Sequence, residues 1–153
     1  MRILVIGKSG FVSTSFQTYM KRYPDIKVDA VSARNGKWKK VDFSEYDVVY
    51  NTTGLAHNDA RKGTDEQFMA LNAKLPVALA SKAKRDGVKE FIHMSSMIVY
   101  GDMSQLGEDK FITKDTVPKP AGIYGKSKLA GANALRKLES EDFHVALIRS
   151  PLI

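Results

Sequence analysis

The most informative stretch of this 153-residue chain is Ile3-Leu4-Val5-Ile6-Gly7-Lys8-Ser9-Gly10-Phe11-Val12-Ser13. It begins with a short apolar run typical of a strand buried on both faces, and after a glycine turn its apolar residues recur with a helical period. A helix N-terminus after such a turn attracts a diphosphate, because its dipole and free N–H groups favour an anion. The spacing predicts a dinucleotide site, with Gly7 in the tight turn, Gly10 beneath the phosphates and Ser13 where a third glycine is usual. A glycine turn without a ligand is the alternative.

Apolar runs and helical segments alternate along the rest of the chain. The further strand candidates are short and largely rich in β-branched residues: 28–31, 48–50, 91–94 and 145–148. Helical periodicity follows the first glycine turn and returns over 65–85 and 124–138. In the longer segment Thr64 is a candidate N-cap, Gly87 is a candidate stop, and Pro76 predicts a kink or a break. This alternation predicts a doubly wound α/β domain, which is a parallel sheet with helices on both faces.

Two segments and the end of the chain depart from the alternation. Residues 35–46 are too few for a crossover helix with its turns. Residues 102–123 are polar, contain two prolines, and are expected to form a loop above the sheet. The sequence stops just after an inner strand without a polar cap. We therefore expect residues 1–153 to be a dinucleotide-binding domain from the front part of a longer protein.

The composition argues against several classes of protein. Lys and Arg number 24 and Asp and Glu number 17, which gives a net charge of +7. The basic residues are spread out and do not alternate with aromatic ones, so nucleic-acid binding is not predicted. With no cysteine and three scattered histidines, neither a disulfide nor a metal site is predicted. No apolar run reaches the roughly 18 residues of a membrane span and no signal-peptide pattern is present, so the cytoplasm is the expected location.

The candidate chemistry lies in two places. In the segment Tyr124-Gly125-Lys126-Ser127-Lys128, the tyrosine and the last lysine are four residues apart on a predicted helix, so they share one face. An ammonium group beside a phenol stabilises the phenolate, which suits the pair to proton transfer. Ser95 and Ser96 follow the fourth apolar run, and ligands of open α/β sheets bind at the carboxyl ends of strands. The alternatives are a tyrosine beside a solvated lysine, and serines that bond only to the backbone.

Taken together, these segments resemble the extended short-chain dehydrogenase/reductase family, specifically its nucleotide-sugar epimerases, dehydratases and ketoreductases. The matching residues follow the order and spacing of that family and extend over essentially the whole chain. They are Gly7-x-x-Gly10-Phe11-Val12, Asp42-Phe43, residues 47–54, Asn72, Ser95-Ser96-x-x-Val99-Tyr100-Gly101 and Tyr124-Gly125-x-Ser127-Lys128. The resemblance implies a Rossmann-type sheet, an enzyme, and a carboxyl-terminal substrate domain that is absent from this chain.

The resemblance also implies roles for individual residues. Ser96, Tyr124 and Lys128 would be catalytic, with Tyr124 as the acid–base group and Lys128 bonded to the nicotinamide ribose. Where the family usually has a short alanine-rich stretch after the third strand, this chain has two threonines. The cofactor would lie on Gly7, Gly10, Phe11 and Val12 at the diphosphate, on Asp42 and Phe43 at the adenine, and on Thr52, Thr53, Gly54, Asn72, Tyr124 and Lys128 elsewhere.

The end of the second predicted strand bears on the type of cofactor. NAD-dependent members of this fold usually carry an acidic residue there, which binds the ribose hydroxyls of the adenosine. This chain has Val31-Ser32-Ala33-Arg34 instead. Ser32 and Arg34 could receive a ribose 2′-phosphate, which an acidic residue would repel. We therefore predict NADP(H) in preference to NAD(H); an Arg34 that faces solvent or stacks on the adenine is the alternative.

The resulting prediction is an NAD(P)-dependent ketoreductase or epimerase that acts on a nucleotide-linked sugar, with hydride transfer at a sugar carbon, C4 by resemblance. Met97 and Ile98 stand where dehydratases of the family have an Asp-Glu pair, which disfavours 4,6-dehydration. His57 could approach the substrate or be a polar loop residue. The resemblance also implies a homodimer. The alternative function is a non-catalytic NADP(H)-binding regulatory or redox-sensing module, a class that often lacks the tyrosine or the lysine.

Overall fold

The structure, a computed structural model, describes residues 1–56, 63–101 and 111–151. Its strands are β1 (Arg2–Ile6), β2 (Lys27–Val31), β3 (Val48–Asn51), β4 (Glu90–Ser96) and β5 (His144–Ser150). Its α-helices are α1 (Phe11–Met20), α2 (Asp65–Met69), α3 (Leu75–Arg85) and α4 (Ile123–Arg136). The strands form one parallel sheet in the order β2-β1-β3-β4-β5. The predicted strands and helices are therefore confirmed, and their ends shift by only one or two residues.

Both faces of the sheet are covered, because successive residues of each strand point to opposite sides. Leu4 and Ile6 of β1 belong to the larger core, which α3 and α4 cover with Leu79, Ala80, Ala83 and Leu135. Ile3 and Val5 belong to a smaller core, which α1 covers with Val12, Phe16 and Met20. The central strands are consequently apolar at nearly every position. The doubly wound α/β sheet is confirmed.

The longest helical region begins after Thr64 and continues to Arg85. Thr64 Oγ1 accepts a hydrogen bond from the Gln67 N–H at 3.3 Å, and the Gln67 side chain accepts one from the Thr64 N–H at 3.0 Å, which makes a capping box. Pro76 does not end the helix, because one π-helical turn (Ala70–Lys74) joins α2 to α3 just before it. Proline has no N–H and crowds the preceding turn, so a wider turn allows the helix to continue. The predicted disturbance therefore takes the form of a π turn.

The connection from β2 to β3 contains no crossover helix in the described residues 32–47. Two short 3₁₀ segments, Arg34–Lys40 and Phe43–Glu45, take its place, and Trp38 and Phe43 from them enter the larger core. Residues 111–122, the described end of the predicted loop, contain neither helix nor strand. Within the described ranges, no helix has the length and apolar character needed to cross a membrane. Because all five strands are parallel, their carboxyl ends lie along one edge of the sheet.

Candidate active site

The turn after β1 exposes its backbone at the edge of the sheet where the carboxyl ends of the strands lie. Gly7 has a φ of +116°, and a Cβ atom there would lie 2.5 Å from Thr52 Oγ1, so the position requires glycine. The Gly7 N–H donates to the Val31 carbonyl at 2.9 Å, and Thr52 Oγ1 donates to the Ile6 carbonyl at 2.9 Å. These bonds tie the turn to the ends of β2 and β3. Gly10 faces open space, since a Cβ atom built there meets no atom within 4 Å.

Helix α1 starts directly after Gly10, so its first N–H groups lack partners within the helix and can receive an anion. Ser13 is fully buried, and its small side chain lets the helix pack closely on the sheet where a third glycine is usual. Val12 borders the open space at the strand ends. The Phe11 ring, by contrast, is 71% exposed. The structure thus brings Gly10 and Val12 to the site, and the exposed Phe11 lines an opening beside them together with Thr52.

A cavity of about 250 Å³, which we call the tyrosine cavity, opens at the carboxyl ends of the central strands. Its wall includes the three residues that the resemblance makes catalytic, together with both threonines that follow β3. The lining residues are Val12, Thr52, Thr53, Gly54, Leu55, Ala56, Met94, Ser95, Ser96, Tyr124, Lys128, Ser150 and Pro151. Residues far apart in sequence therefore meet in one place because the parallel strands end together.

Tyr124 and Ser96 approach the tyrosine cavity from different elements. The Tyr124 ring, near the start of α4, packs edge-on against the buried Phe68 of α2, with 6.4 Å between the ring centroids. Ser96 is the last residue of β4, and its hydroxyl oxygen accepts a hydrogen bond from the Ile98 N–H at 3.3 Å. A serine hydroxyl that accepts such a bond still has its proton to donate. The wall therefore carries a phenol and a hydroxyl donor, both of which can serve a substrate oxygen.

Lys128 supplies a buried charge to the same wall. Only 5% of it is exposed, and its ammonium group donates to the Met94 carbonyl at 2.9 Å. Burial disfavours the charged form and lowers the pKa of Lys128 to about 8. Because this pKa is still above 7, most of the amine is protonated at neutral pH. A positive charge therefore lies in the low-dielectric wall, one helical turn after Tyr124.

Asn72 stands behind this wall. Its Oδ1 accepts a hydrogen bond from the Leu55 N–H at 2.8 Å, and its Nδ2 donates to the Leu55 carbonyl at 3.2 Å and to Ser127 Oγ at 3.1 Å. The fully buried Asn72 therefore joins the segment after β3 to helix α4. A Cβ atom at Gly54 would lie 2.6 Å from Asn72 Oδ1 and 3.0 Å from Lys128 Nζ, so the backbone passes close to both groups. Asn72 supports the wall, and its contact with a cofactor stays a prediction.

A second cavity, of about 400 Å³, lies beside the glycine turn and is here called the arginine cavity. The Ser32 hydroxyl accepts a hydrogen bond from the Arg34 N–H at 3.2 Å, and the Arg34 side chain is exposed. The one acidic residue of β2, Asp29, is paired with Arg2 at 3.2 Å. The lining residues are Gly7, Lys8, Ser9, Gly10, Ser32, Ala33, Arg34, Thr52, Thr53, Gly54, Leu55, Leu71 and Leu75. Basic and hydroxyl groups therefore line the arginine cavity, and no acidic residue is among its described lining residues.

Asp42 and Phe43 are not among the described residues that line these two cavities. Asp42 Oδ1 accepts hydrogen bonds from the Ser44 N–H at 3.0 Å and the Ser44 hydroxyl at 2.7 Å, which lower the pKa of Asp42. Phe43 is fully buried, and its N–H donates to the Asp86 carboxylate at 3.2 Å. These contacts cap a short helical turn and complete the core. The assignment of the pair to the adenine stays a prediction, to which the two cavities add no support.

Sequence reasoning missed four residues of this edge. Asn51 at the end of β3 and His93 in the middle of β4 lie side by side, and their signal was a polar residue within or directly after an apolar run. Leu71 and Leu75 line the arginine cavity, and their only signal was a spacing of four on the long helix. His57, for which a substrate contact was considered, lies outside the described residues. In the described parts of the chain, no group of three or more His, Asp or Glu residues could hold a metal ion.

Comparison with known proteins gives this geometry a context. A family sequence model, that of the NAD dependent epimerase/dehydratase family, matches residues 3–152. The dTDP-glucose 4,6-dehydratase of Mycobacterium tuberculosis is 26% identical in an alignment of 160 positions. The alignment covers 88% of this chain and 47% of that protein. The chain thus spans about half the length of the curated relatives that it matches.

Solved structures share the fold at low sequence identity. The UDP-glucuronic acid 4-epimerase from Bacillus cereus, in complex with NAD, superposes with a TM-score of 0.80 at 19% identity, over 99% of this chain and 57% of that one. The protein RMD from Pseudomonas aeruginosa, complexed with NADPH, gives a TM-score of 0.72 at 21% identity, over 98% of this chain and 52% of that one. These superpositions confirm the Rossmann-type fold.

Proposed function

The chain belongs to the NAD dependent epimerase/dehydratase family, and from this premise we propose that it is the cofactor-binding part of an NAD(P)-dependent ketoreductase or epimerase for a nucleotide-linked sugar. One observation carries the proposal. Tyr124, Lys128 and Ser96 line a single cavity at the carboxyl ends of the strands, next to the Gly7 turn. That turn and the open space at Gly10 fit a dinucleotide, because nothing crowds a diphosphate that approaches the backbone there.

The residues of the tyrosine cavity divide the proton chemistry among them. A nicotinamide cofactor, when bound, gives a hydride to a sugar carbonyl carbon or takes one from the carbinol carbon. In the reducing direction, Tyr124 donates its phenolic proton to the carbonyl oxygen; in the oxidising direction, its phenolate accepts the hydroxyl proton. Ser96 donates a hydrogen bond to the same oxygen and orients it. The Lys128 ammonium would bond to the nicotinamide ribose of a bound cofactor and, as a nearby cation, would favour the phenolate.

The two residues after Ser96 favour a reductase or an epimerase over a dehydratase. Met97 and Ile98 occupy the two positions after Ser96 and begin a short 3₁₀ turn. Neither side chain can transfer a proton, whereas dehydration needs an additional acid and base on the sugar. We therefore disfavour 4,6-dehydration for this chain, although its Mycobacterium tuberculosis relative is a dTDP-glucose 4,6-dehydratase. The C4 position of the sugar is part of the proposal.

NADP(H) is the proposed cofactor, in preference to NAD(H). Support comes from the arginine cavity, where Ser32 and Arg34 stand in place of the acidic residue that binds the ribose hydroxyls in NAD-dependent proteins. A guanidinium and a hydroxyl attract a 2′-phosphate, and Lys8 adds a second cation to the same cavity. Calorimetric titration of the full-length protein tests the preference. We expect NADPH to bind more tightly than NADH, and the reverse order would contradict it.

The remaining parts of the proposal concern the rest of the molecule. The substrate domain would come from residues beyond this domain, and it would recognise the nucleotide and the sugar. We also propose a cytoplasmic location. We further propose a homodimer that forms through the outer faces of α4 and of the helical region made of α2, the π turn and α3. Sedimentation of the full-length protein tests the dimer, and fractionation of the cells that make it tests the location.

A non-catalytic NADP(H)-binding module is the second candidate. Its binding site would be the same, but it would have no use for an acid–base group in the wall. Here the phenol, the buried ammonium and the serine hydroxyl are all present in one cavity. This combination favours an enzyme.

Turnover decides between the two candidates. With NADPH, the full-length protein should convert 4-keto nucleotide sugars to 4-hydroxy products; with the oxidised cofactor NADP⁺, it should interconvert 4-hydroxy epimers. Tyr124→Phe should lower kcat by about 10²- to 10⁴-fold, because it removes the general acid–base group. The matched control is Tyr23→Phe, which alters an exposed tyrosine just after the end of α1 and should leave kcat unchanged. Full activity of Tyr124→Phe would contradict the proposed mechanism.

A further inference from the structure

Two buried polar side chains at the edge of the sheet have no part in the chemistry above. Asn51 ends β3 and His93 lies in β4, and the two residues are direct neighbours in the parallel register. Both are fully buried. Burial of an amide and an imidazole among apolar strands is unfavourable unless their hydrogen bonds are made. Their contacts therefore indicate what they do.

The hydrogen bonds of Asn51 fix the protonation of His93. The Asn51 Oδ1 atom accepts hydrogen bonds from the Thr53 N–H at 3.0 Å and from the Thr53 hydroxyl at 2.7 Å. Because a backbone N–H can only donate, the side-chain atom that faces it must be the oxygen. The other atom, Nδ2, is therefore the donor that lies 3.0 Å from His93 Nδ1. Nδ1 must accept, so the imidazole is neutral and carries its proton on Nε2.

The surroundings of His93 agree with a permanently neutral ring. Burial, and to a smaller extent the charge on Lys128, lower the pKa of His93 to about 3. Its Nε2 atom has no hydrogen-bond partner among the described residues. Protonation of Nδ1 would also bring two donors face to face across the bond to Asn51. The ring therefore acts as a fixed acceptor at all pH values near neutrality.

His93 Nδ1 lies at one end of a series of hydrogen bonds that crosses the site. His93 orients the Asn51 amide, and the amide oxygen holds both the backbone and the side chain of Thr53. Thr53 lines the tyrosine and arginine cavities. The neighbouring Thr52 continues the connection to β1 through its bond to the Ile6 carbonyl. The threonines that replace the usual alanine-rich stretch are thus the residues that make the connection.

We infer that His93 is a positioning residue for cofactor binding: as a neutral acceptor, it holds Asn51 and thereby fixes the Thr53 backbone against which the cofactor lies. The inference rests on the proposed function, because it assumes that a dinucleotide occupies the two cavities. It assigns His93 no contact with the reacting atoms. The role belongs to the hydrogen-bond acceptor at Nδ1 and does not depend on charge.

The tautomer can be measured directly in the full-length wild-type protein. Nitrogen-15 NMR of the histidine side chains distinguishes Nδ1 from Nε2 protonation. We expect His93 to carry its proton on Nε2 and to show no titration between about pH 5.5 and 8.5, where an ordinary histidine changes charge. A proton on Nδ1, or a titration midpoint in that range, would overturn the inference. This measurement needs no variant and so does not depend on whether a variant folds.

Three variants of the full-length protein separate positioning from packing. His93→Leu removes the acceptor, and we expect the Kd for the cofactor to rise about tenfold, the loss of one buried hydrogen bond. His93→Asn restores an acceptor oxygen near the place of Nδ1 and should return the Kd to within about twofold of wild type. Phe91→Leu, at a buried position on the same side of β4, should lower the melting temperature without changing the Kd.

The outcomes also separate this inference from the proposed function. If the wild-type protein binds neither NADPH nor NADH, the proposed function fails. If the wild type binds a cofactor and His93→Leu binds it equally well, only the positioning role fails. If His93→Asn binds as weakly as His93→Leu, the acceptor is not the cause, and the inference fails as well.

Discussion

The two ends of the proposed cofactor site are built in different ways. At the tyrosine cavity, the polar groups are buried and held by several hydrogen bonds: Lys128 bonds to a strand carbonyl, and Asn72 bonds to Leu55 and Ser127. At the arginine cavity, Arg34 is exposed, and the contact of Ser32 is with the backbone of Arg34. The comparison teaches that packing fixes the polar groups at the first end, whereas the side chains proposed to select the cofactor at the second end are exposed.

The largest effect is expected at Lys128, where function and stability should move in opposite directions. Lys128→Met should lower kcat/KM by about 10²-fold or more, because the phenolate loses its cation. The same change should stabilise the unliganded protein at pH 7 by about 1–3 kcal/mol, because the buried charge disappears. Kinetics and thermal unfolding measure the two effects. Lower stability in Lys128→Met would mean that the bond to Met94 outweighs the cost of burial.

The sign of the Lys128 effect also follows from its pKa, which burial lowers to about 8. Between about pH 8 and 10.5 the unfolded chain holds a proton on this lysine that the folded chain has lost. The wild-type stability should therefore rise with pH over this window relative to Lys128→Met. Parallel stability curves for the two proteins would contradict the lowered pKa.

Substitution of two glycines should distinguish a tightly packed position of the site from an open one. Gly54→Ala would put a Cβ atom 2.6 Å from Asn72 Oδ1 and 3.0 Å from Lys128 Nζ. We expect a loss of about 1–3 kcal/mol in unfolding free energy, because the crowded atoms are fixed by their own bonds. Gly10→Ala has open space and should leave the stability unchanged within about 0.5 kcal/mol. Denaturant unfolding measures both free energies; equal losses would show that Gly10 is packed as tightly as Gly54.

Gly10→Ala should nevertheless weaken cofactor binding, since its methyl group would occupy the space that the proposal gives to the diphosphate. The pair of glycines therefore separates an effect on the fold from an effect on the ligand. Unchanged cofactor affinity in Gly10→Ala would contradict a diphosphate at this turn.

A smaller effect is expected at Arg34. Arg34→Ala should raise the Kd for NADPH about tenfold and leave the Kd for NADH unchanged, because only the 2′-phosphate loses a charged partner. Arg22→Ala is the control, since Arg22 is an exposed arginine in the turn after α1 that stacks on Tyr19, with 5.2 Å between the guanidinium and the ring centroid. Titration with both cofactors measures the change. An equal loss for NADH would mean that Arg34 binds the part common to both molecules.

The last effect concerns acid stability and His93, whose pKa burial lowers to about 3. Below about pH 6.5 the unfolded chain gains a proton on this residue that the folded chain refuses, so stability is lost as the pH falls from 6.5. His93→Asn should remove this part of the acid destabilisation. Urea unfolding at about pH 5 and 7 compares the two proteins. If His93→Asn loses as much unfolding free energy between about pH 7 and 5 as the wild type does, His93 does not contribute to the acid destabilisation.

Much of this molecule could be predicted from local sequence. Short apolar runs and the glycine turn indicate the parallel sheet, and the spacing of four between Tyr124 and Lys128 puts both on one helix face. The Asn51–His93 pair could not be predicted, because it depends on the register between β3 and β4. The helix continues through Pro76 because a π turn precedes it, and such turns have no simple sequence signal.

Transfer of a labelled hydride tests the central claim most directly. Full-length protein is mixed with NADPH deuterated at the transferable position and with a 4-keto nucleotide sugar, and the sugar product is analysed by mass spectrometry over time. We predict that the wild type puts deuterium on the sugar carbon. Tyr124→Phe should bind NADPH equally well but transfer deuterium at least about 10²-fold more slowly. Transfer at the wild-type rate in Tyr124→Phe, or no deuterium in the wild-type product, would contradict the account.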